Sequence, residues 1–418
     1  MHVAILGAGI TGISLGRMLI DKKVDVNIYE KEDRAGGLCR SKIIEGYVFD
    51  KSGGHVFNSK NPEVLKWVFN ILPKEKWVFS KRKSKILYKD KLLDYPFELS
   101  LSQLDVNDAI ECIIDLFQRN KNKPKNFLEW ILNNFGFTIS NKYMIPYNEK
   151  IWKFPLEEID IDWMNGKMPF PDERKILSAL LNRNSTENMM PHSTYYYPVN
   201  GGIQTLIDAI AENISKNIHL NTKVESIERV NNKLYINGYG PYDRVISTLP
   251  LKILPDIMKL PSKIKDVIDS LKYNSVMTIL YPIPKNDEDY SWIYLPSKEL
   301  IPHRIVHQGV LSPNNCPPGM DSITVEISKP ELYKVEDIFK NIRDELRITT
   351  KPIVMNVTKF AYVVFDKYRA KTLTLVKEYM SRLGINLLGR FGEWEYPNMD
   401  ICIERALEEV DALTKGIQ

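Results

Sequence analysis

Apolar positions change their spacing several times along the chain, and each change marks an element. Residues 2–6 form a short uninterrupted apolar run, the pattern of a parallel strand buried on both faces. A glycine-rich turn follows, and apolar residues then recur at helical spacing over 13–20. A second strand is predicted over 24–29, ending at Glu30. Between about 60 and 195 helical spacing dominates, over 62–71, 102–117 and 127–135, and aromatic residues become frequent. The polar stretches 120–126 and 182–192 read as loops. From about 255 to 385, apolar runs such as 276–281 and 323–327 predict strands of an antiparallel sheet.

This order predicts an α/β protein with a discontinuous Rossmann-like nucleotide-binding domain, assembled from 1–60, 195–255 and 386–418. Two insertions interrupt it: a mainly helical domain over 61–194 and an antiparallel-sheet domain over 256–385. A substrate cleft is expected at their junction.

Composition changes little in that picture. At 418 residues the chain exceeds one hydrophobic core, and 44% hydrophobic with 26% charged residues is ordinary for a globular protein. The net charge of +4 is small, and the basic run Lys81-Arg82-Lys83-Ser84-Lys85 reads as a solvated hairpin. A nucleic-acid partner is therefore not expected, whereas an anionic small molecule suits the modest positive bias. The cysteines Cys39, Cys112, Cys316 and Cys402 form no C-x-x-C pair, and the six histidines form no metal-binding cluster. No metal is expected. Without a signal-like N-terminus or a long apolar segment, the expectation is a cytoplasmic protein with no membrane span.

The turn after the first strand carries the chemistry. It reads Gly7-Ala8-Gly9-Ile10-Thr11-Gly12, between a strand and a helix. Gly7 makes the tight turn, Gly9 lets the backbone approach a pyrophosphate, and Gly12 lets helix and strand pack closely. The helix N-terminus offers N–H groups to the phosphates. Glu30, at the end of the next strand, is placed to take the ribose hydroxyls.

The following segment, Lys31-Glu32-Asp33-Arg34-Ala35-Gly36-Gly37-Leu38, resembles the second pyrophosphate cradle of the glutathione-reductase-type FAD superfamily. Tyr197-Pro198-x-x-Gly201-Gly202, a strand around Lys223-Val224-Glu225, and Gly389-Arg390-Phe391-Gly392 occur in that superfamily's order. The resemblance implies FAD, with Arg34, Gly36, Gly37, Leu38, Val224, Gly389 and Arg390 at the cofactor. The C-terminal segment would close over the flavin.

Further motifs resemble the UDP-galactopyranose mutases. They are Asp50-Lys51-Ser52-Gly53-Gly54-His55, Tyr95-Pro96-Phe97, Pro146-Tyr147-Asn148-Glu149-Lys150-Ile151-Trp152, Trp292-x-Tyr294 with Arg304, and Trp394-Glu395-Tyr396-Pro397-Asn398-Met399-Asp400. The histidine segment is shared with the amine and protoporphyrinogen oxidases.

By this resemblance Gly54, His55, Asn398, Met399 and Asp400 would touch the flavin. Arg304 would grip a diphosphate with Tyr368 and Tyr396, as a forked cation suits it. Tyr95, Tyr147, Asn148, Trp152, Trp292 and Tyr294 would line the pocket. The resemblance implies a pyranose/furanose mutase acting on a nucleotide sugar, with a UDP-linked one expected. Reduced flavin N5 would be the nucleophile at the anomeric carbon, with no net redox and His55 and Arg304 as the catalytic side chains. NAD(P)H could serve as reductant, and a homodimer is compatible.

Two departures bear on the substrate. Where mutases place a second diphosphate-binding arginine, this chain has Lys167, with Arg174 a few residues on as the substitute. Tyr368 stands without a neighbouring proline. Two other readings share the fold: an amine- or protoporphyrinogen-oxidase-like enzyme, and a GDP-dissociation inhibitor. The intact glycine fingerprint opposes the inhibitor.

Overall fold

The computed structural model describes residues 1–164, 171–182 and 193–415. Strand His2–Leu6 is buried along most of its length and pairs in parallel with Asp25–Tyr29 on one side and Arg244–Ser247 on the other. Ile385–Leu387 and Ile218–His219 complete a five-stranded parallel sheet. Its strands thus come from three separated stretches of chain. The crossover through helix Ile10–Asp21 places that helix's N-terminus at the carboxyl ends of the strands. Helix Met399–Thr414 packs along it and shares its apolar core.

A second sheet of seven strands lies beyond the glycine turn. Tyr273–Pro284 is its long central strand, paired antiparallel with both Met320–Ser328 and Val354–Val363. Arg304–His307 and Trp292–Tyr294 continue it. Two further strands, Ser84–Tyr88 and Lys91–Asp94, come from the stretch expected to be mainly helical. Ser84–Tyr88 joins Trp292–Tyr294 in parallel, so the sheet is mixed.

The basic run 81–85 is therefore not a hairpin. Trp77–Lys81 pairs with Thr194–Pro198 in another sheet, and the chain turns at Arg82 to enter this one. The helices described in that stretch are Pro62–Ile71, Val106–Gln118, Phe127–Ile139, Ile145–Trp152 and Glu173–Asn182. Residues 222–226 run as an extended link where a strand was expected around Val224. Among the described residues no helix is long and apolar enough to cross a membrane.

Candidate functional site

The site begins where backbone has to come close to backbone. A Cβ at Gly12 would sit 2.0 Å from the carbonyl oxygen of Gly7, so only glycine lets this helix leave this strand. Gly7 itself is at φ +96° and Gly36 at φ +133°, regions that side chains rarely adopt. Gly9 and Gly36 form a parallel bridge, with the Gly36 N–H donating to the Ala8 carbonyl at 2.8 Å. Two glycine segments therefore lie side by side in the wall of a cleft of about 740 Å³. Glu30 is held at its rim by N–H groups of Ala8 (2.9 Å) and Glu32 (3.0 Å), which fix the carboxylate's direction.

The cleft is lined by Gly7, Gly9, Glu30, Gly36, Gly37 and Leu38 at one end. Val224 closes its side, and Gly54, His55, Arg390, Asn398, Met399 and Asp400 line the other end. Three residues expected at the cofactor do not line it. Gly12 acts by packing, and Gly389 (φ +79°) turns the chain against Thr11. Arg34 points outward into an exposed ion pair with Asp208.

Does this cleft suit a dinucleotide with a flavin? At Gly9, beside a helix N-terminus, a Cβ would meet nothing closer than 3.9 Å, so its absence leaves the backbone open to a ligand. At the far end Arg390 lies over the Tyr396 ring at 3.8 Å and donates to the Ala361 carbonyl at 2.7 Å. Its buried Nε–H has no partner among the described residues. His55 donates from Nδ1 to the Gly53 carbonyl (2.7 Å), which leaves Nε2 as an acceptor. Burial, with Arg390 nearby, pulls its pKa down to about 4, so the ring is neutral at neutral pH. These features fit a flavin dinucleotide.

A smaller cavity of about 300 Å³ opens from the cleft, and Arg304, Tyr362 and Tyr396 line both. Arg304 stands directly opposite Glu326 on the next strand. Its Nε (2.9 Å) and Nη2 (2.7 Å) both reach Glu326 Oε2, leaving Nη1 for a ligand. Burial opposes the charge, but Glu326 beside it more than offsets this and holds the guanidinium cationic. The fully buried Glu326 also receives the Gly54 N–H at 3.3 Å. One carboxylate thus ties the histidine turn to the arginine.

The walls of the cavity are aromatic. Tyr147 stacks on Tyr143 (5.5 Å) and meets Tyr294 edge-on (5.3 Å); Tyr95 tilts against Tyr294 (4.9 Å). Trp152 and Tyr396 pack edge to face at 6.4 Å. Asn148 lines the cavity, but its amide is engaged within its own helix. Nδ2 donates to the Met144 carbonyl (2.7 Å), and Oδ1 accepts from Trp152 Nε1 (3.2 Å). Its observed part is to set the indole. Lys150, from the same motif, is buried and donates to the carbonyls of Leu295, Ser297 and Pro302, anchoring the loop before Arg304. Trp292 faces the larger cleft.

Some expectations are redirected. Tyr368 does not reach the site: its backbone N–H is held by Asp366 Oδ1 (2.9 Å) just before helix Arg369–Arg382, and its side chain is 66% exposed. The phenol at the junction is Tyr362, delivered by strand Val354–Val363 and stacked on Tyr396 at 5.9 Å. Arg174 lies exposed in the first turn of its helix, away from both cavities. Lys167 lies outside the described residues.

The sequence reading overlooked Arg82, which lines the cleft, bonds the Tyr294 hydroxyl and sits over the Trp292 ring at 4.8 Å. It also passed over Glu326, although a glutamate inside the apolar run 323–327 was a usable signal.

With the geometry in place, comparison with known proteins decides the family. Residues 10–374 match the family of flavin containing amine oxidoreductases. The chain belongs to that family. Membership implies FAD as the cofactor.

The UDP-galactopyranose mutase of Mycoplasma pneumoniae is 29% identical over 168 residues, 37% of this chain and 41% of that protein. This chain therefore spans about two fifths of that relative's length. The protoporphyrinogen oxidase of Dictyostelium discoideum is 25% identical over 382 residues, 71% of this chain and 70% of that protein. Among solved structures, a reduced UDP-galactopyranose mutase superposes with a TM-score of 0.89 at 24% identity, covering 100% of this chain and 96% of that one. A double mutant of putrescine oxidase superposes at 0.64 with 16% identity, covering 99% of each chain. These likenesses establish the fold: α/β, with a parallel sheet and a second, mainly antiparallel one.

Proposed function

We propose that this flavoprotein is a mutase that interconverts pyranose and furanose forms of a nucleotide-linked sugar, with a UDP-linked hexose as substrate. The observation that carries the reading is the place of Arg304, a half-buried cation at the mouth between a dinucleotide-sized cleft and an aromatic cavity. A diphosphate bridging sugar and base needs a fixed cation between two chambers, one for each. Arg304 Nη1 and the phenols of Tyr362 and Tyr396 would hold that diphosphate. The sugar would then lie toward His55 and Arg390, and the base among Tyr147, Trp152 and Tyr294.

Reduced FAD, when bound, would supply the nucleophile for the anomeric carbon. The side chains supply the rest. Arg304 stabilises charge on the departing diphosphate and keeps it in place for return. Neutral His55 presents Nε2 as an acceptor toward the cleft, and the aromatic walls exclude water that would hydrolyse an opened sugar. His55 and Arg304 are the two residues assigned to catalysis.

The test uses purified holoprotein reduced anaerobically with dithionite, incubated with UDP-galactopyranose or UDP-galactofuranose and read by chromatography. Interconversion that requires reduced flavin is expected. If neither isomer is converted and no UDP-sugar binds, the reading fails. An oxidase of the protoporphyrinogen or amine group then becomes the better one, favoured by the match to the Dictyostelium protein along most of the chain.

A further inference from the structure

Among the described residues, the deep end of the aromatic cavity holds one carboxyl group, that of Glu98. It sits in the turn Phe97–Leu99, is 8% exposed, and shares that end with Phe135, Tyr143 and Met144. Apart from its own backbone N–H, no group among the described residues helps to hold a charge on it, and burial pushes its pKa up to about 7.

The elements packed around this turn do not change that. Glu173, on the helix against it, is held by Arg119; Arg174 and Lys175 are exposed there. Asp94 is paired with Lys85, and Glu129 accepts from the Lys125 N–H at the exposed start of its helix. Within the cavity the neighbouring titratable group is Tyr143, itself neutral because burial raises its pKa well above the ordinary value. A carboxyl among aromatic walls with no cation beside it is stable as the acid, and its unused hydrogen-bonding capacity is available to whatever enters.

A nucleotide anchored by its diphosphate at Arg304, with its sugar toward the flavin, would send its base to this end. We propose that Glu98 reads that base as a neutral acid, its O–H and C=O meeting a carbonyl and the adjacent imide N–H of a uracil ring. This deepens the nucleotide-sugar reading above and rests on it.

The chemistry favours this protonation state for uracil in particular. The imide N–H of uracil is flanked by two carbonyls, so an ionised carboxylate would accept one hydrogen bond and repel a neighbouring oxygen. The acid supplies a donor and an acceptor side by side. Binding should therefore retain a proton on Glu98, or take one up from solution.

The test measures UDP affinity of the FAD-loaded protein by calorimetry at pH 6 and pH 8.5. For wild type the affinity should be full below pH 7 and fall by about thirtyfold at pH 8.5, as protonation becomes costly. Glu98→Gln keeps a donor beside an acceptor without titrating. It should keep only the part of that fall due to the diphosphate and other groups, so the ratio of the two profiles isolates Glu98. A second arm uses wild type alone: N3-methyl-UDP, which lacks the imide N–H, should bind about tenfold more weakly than UDP at pH 6.

Parallel profiles for wild type and Glu98→Gln, or equal affinity for the methylated ligand, would overturn the role of Glu98 and leave the nucleotide reading standing. No UDP binding by wild type at either pH would overturn both. Flavin content reports whether the variant is folded, and the methylated ligand decides the matter if it is not.

Discussion

In the flavin cleft the decisive atoms belong to the main chain, whereas in the cavity beyond Arg304 they belong to side chains. The cleft works because Gly7, Gly36 and Gly37 permit positive φ, Gly12 permits close packing and Gly9 leaves open space, so its specification lies in what is missing. The cavity works because Tyr95, Tyr147, Trp152, Tyr294 and Arg304 converge from helices and strands far apart in the chain. The first arrangement tolerates no added atom. The second should tolerate conservative exchange but depends on buried pairs being kept whole.

The sharpest way to break this contrast is at the glycines. Gly12→Ala drives a Cβ into the Gly7 carbonyl. Strain at or above about 3 kcal/mol should cost more than a hundredfold in flavin affinity and lower the melting temperature of the apoprotein. Gly9→Ala meets nothing closer than 3.9 Å and has an ordinary φ, so the apoprotein should melt normally while flavin retention falls. Flavin-to-protein ratio and thermal melting distinguish the two. A Gly9→Ala protein that keeps its full flavin would mean the backbone approach is not what the cofactor uses.

The side-chain region should fail through its buried pair. Arg304→Ala leaves the fully buried Glu326 without its cation, which should cost about 3–5 kcal/mol of stability in denaturant unfolding. Arg304→Met combined with Glu326→Gln should recover most of that stability while UDP affinity stays low. Recovery of UDP binding along with stability would remove Arg304 from the diphosphate site.

A pH experiment joins the two regions. His55 has a folded pKa below its ordinary value, so its neutral form contributes stability that is full above about pH 6.5 and lost as pH falls toward about 4. The loss should be on the order of 1–2 kcal/mol, since the ring borders the open cleft. It should be absent in His55→Gln, measured as the difference between the two unfolding profiles. A wild-type profile identical to that of the variant would place His55 in a solvated environment.

The smallest effects separate two tyrosines. Tyr362→Phe should weaken UDP binding by about fivefold to tenfold, the worth of one hydrogen bond to a charged group. Tyr368→Phe should alter binding and stability by no more than about 0.5 kcal/mol, as expected of an exposed side chain. The reverse order would restore Tyr368 to the diphosphate site.

These tyrosines show where sequence reading stops. Both are tyrosines in the same C-terminal stretch, six positions apart, and spacing alone favours neither. Strand pairing with Tyr273–Pro284 decides that Tyr362 meets Tyr396, and the start of helix Arg369–Arg382 decides that Tyr368 does not. Arg82 has the same lesson. In a basic run it reads as solvated, but the parallel pairing of Ser84–Tyr88 with Trp292–Tyr294 carries it over an indole.

What the sequence determined by itself was local in its physics. A turn that requires positive φ and close backbone approach can be met only by glycine, so Gly7, Gly9, Gly12, Gly36 and Gly37 announce a dinucleotide cradle without reference to the remainder of the chain. The strand and helix periods around them likewise announce a parallel sheet. Only the tertiary structure decided which cation meets which carboxylate and which phenol lines the cavity. Arg304 against Glu326, Tyr362 against Tyr396, and Glu98 at the cavity's end depend on the register of distant strands. Register is set by the burial of whole faces, not by any residue's neighbours in sequence.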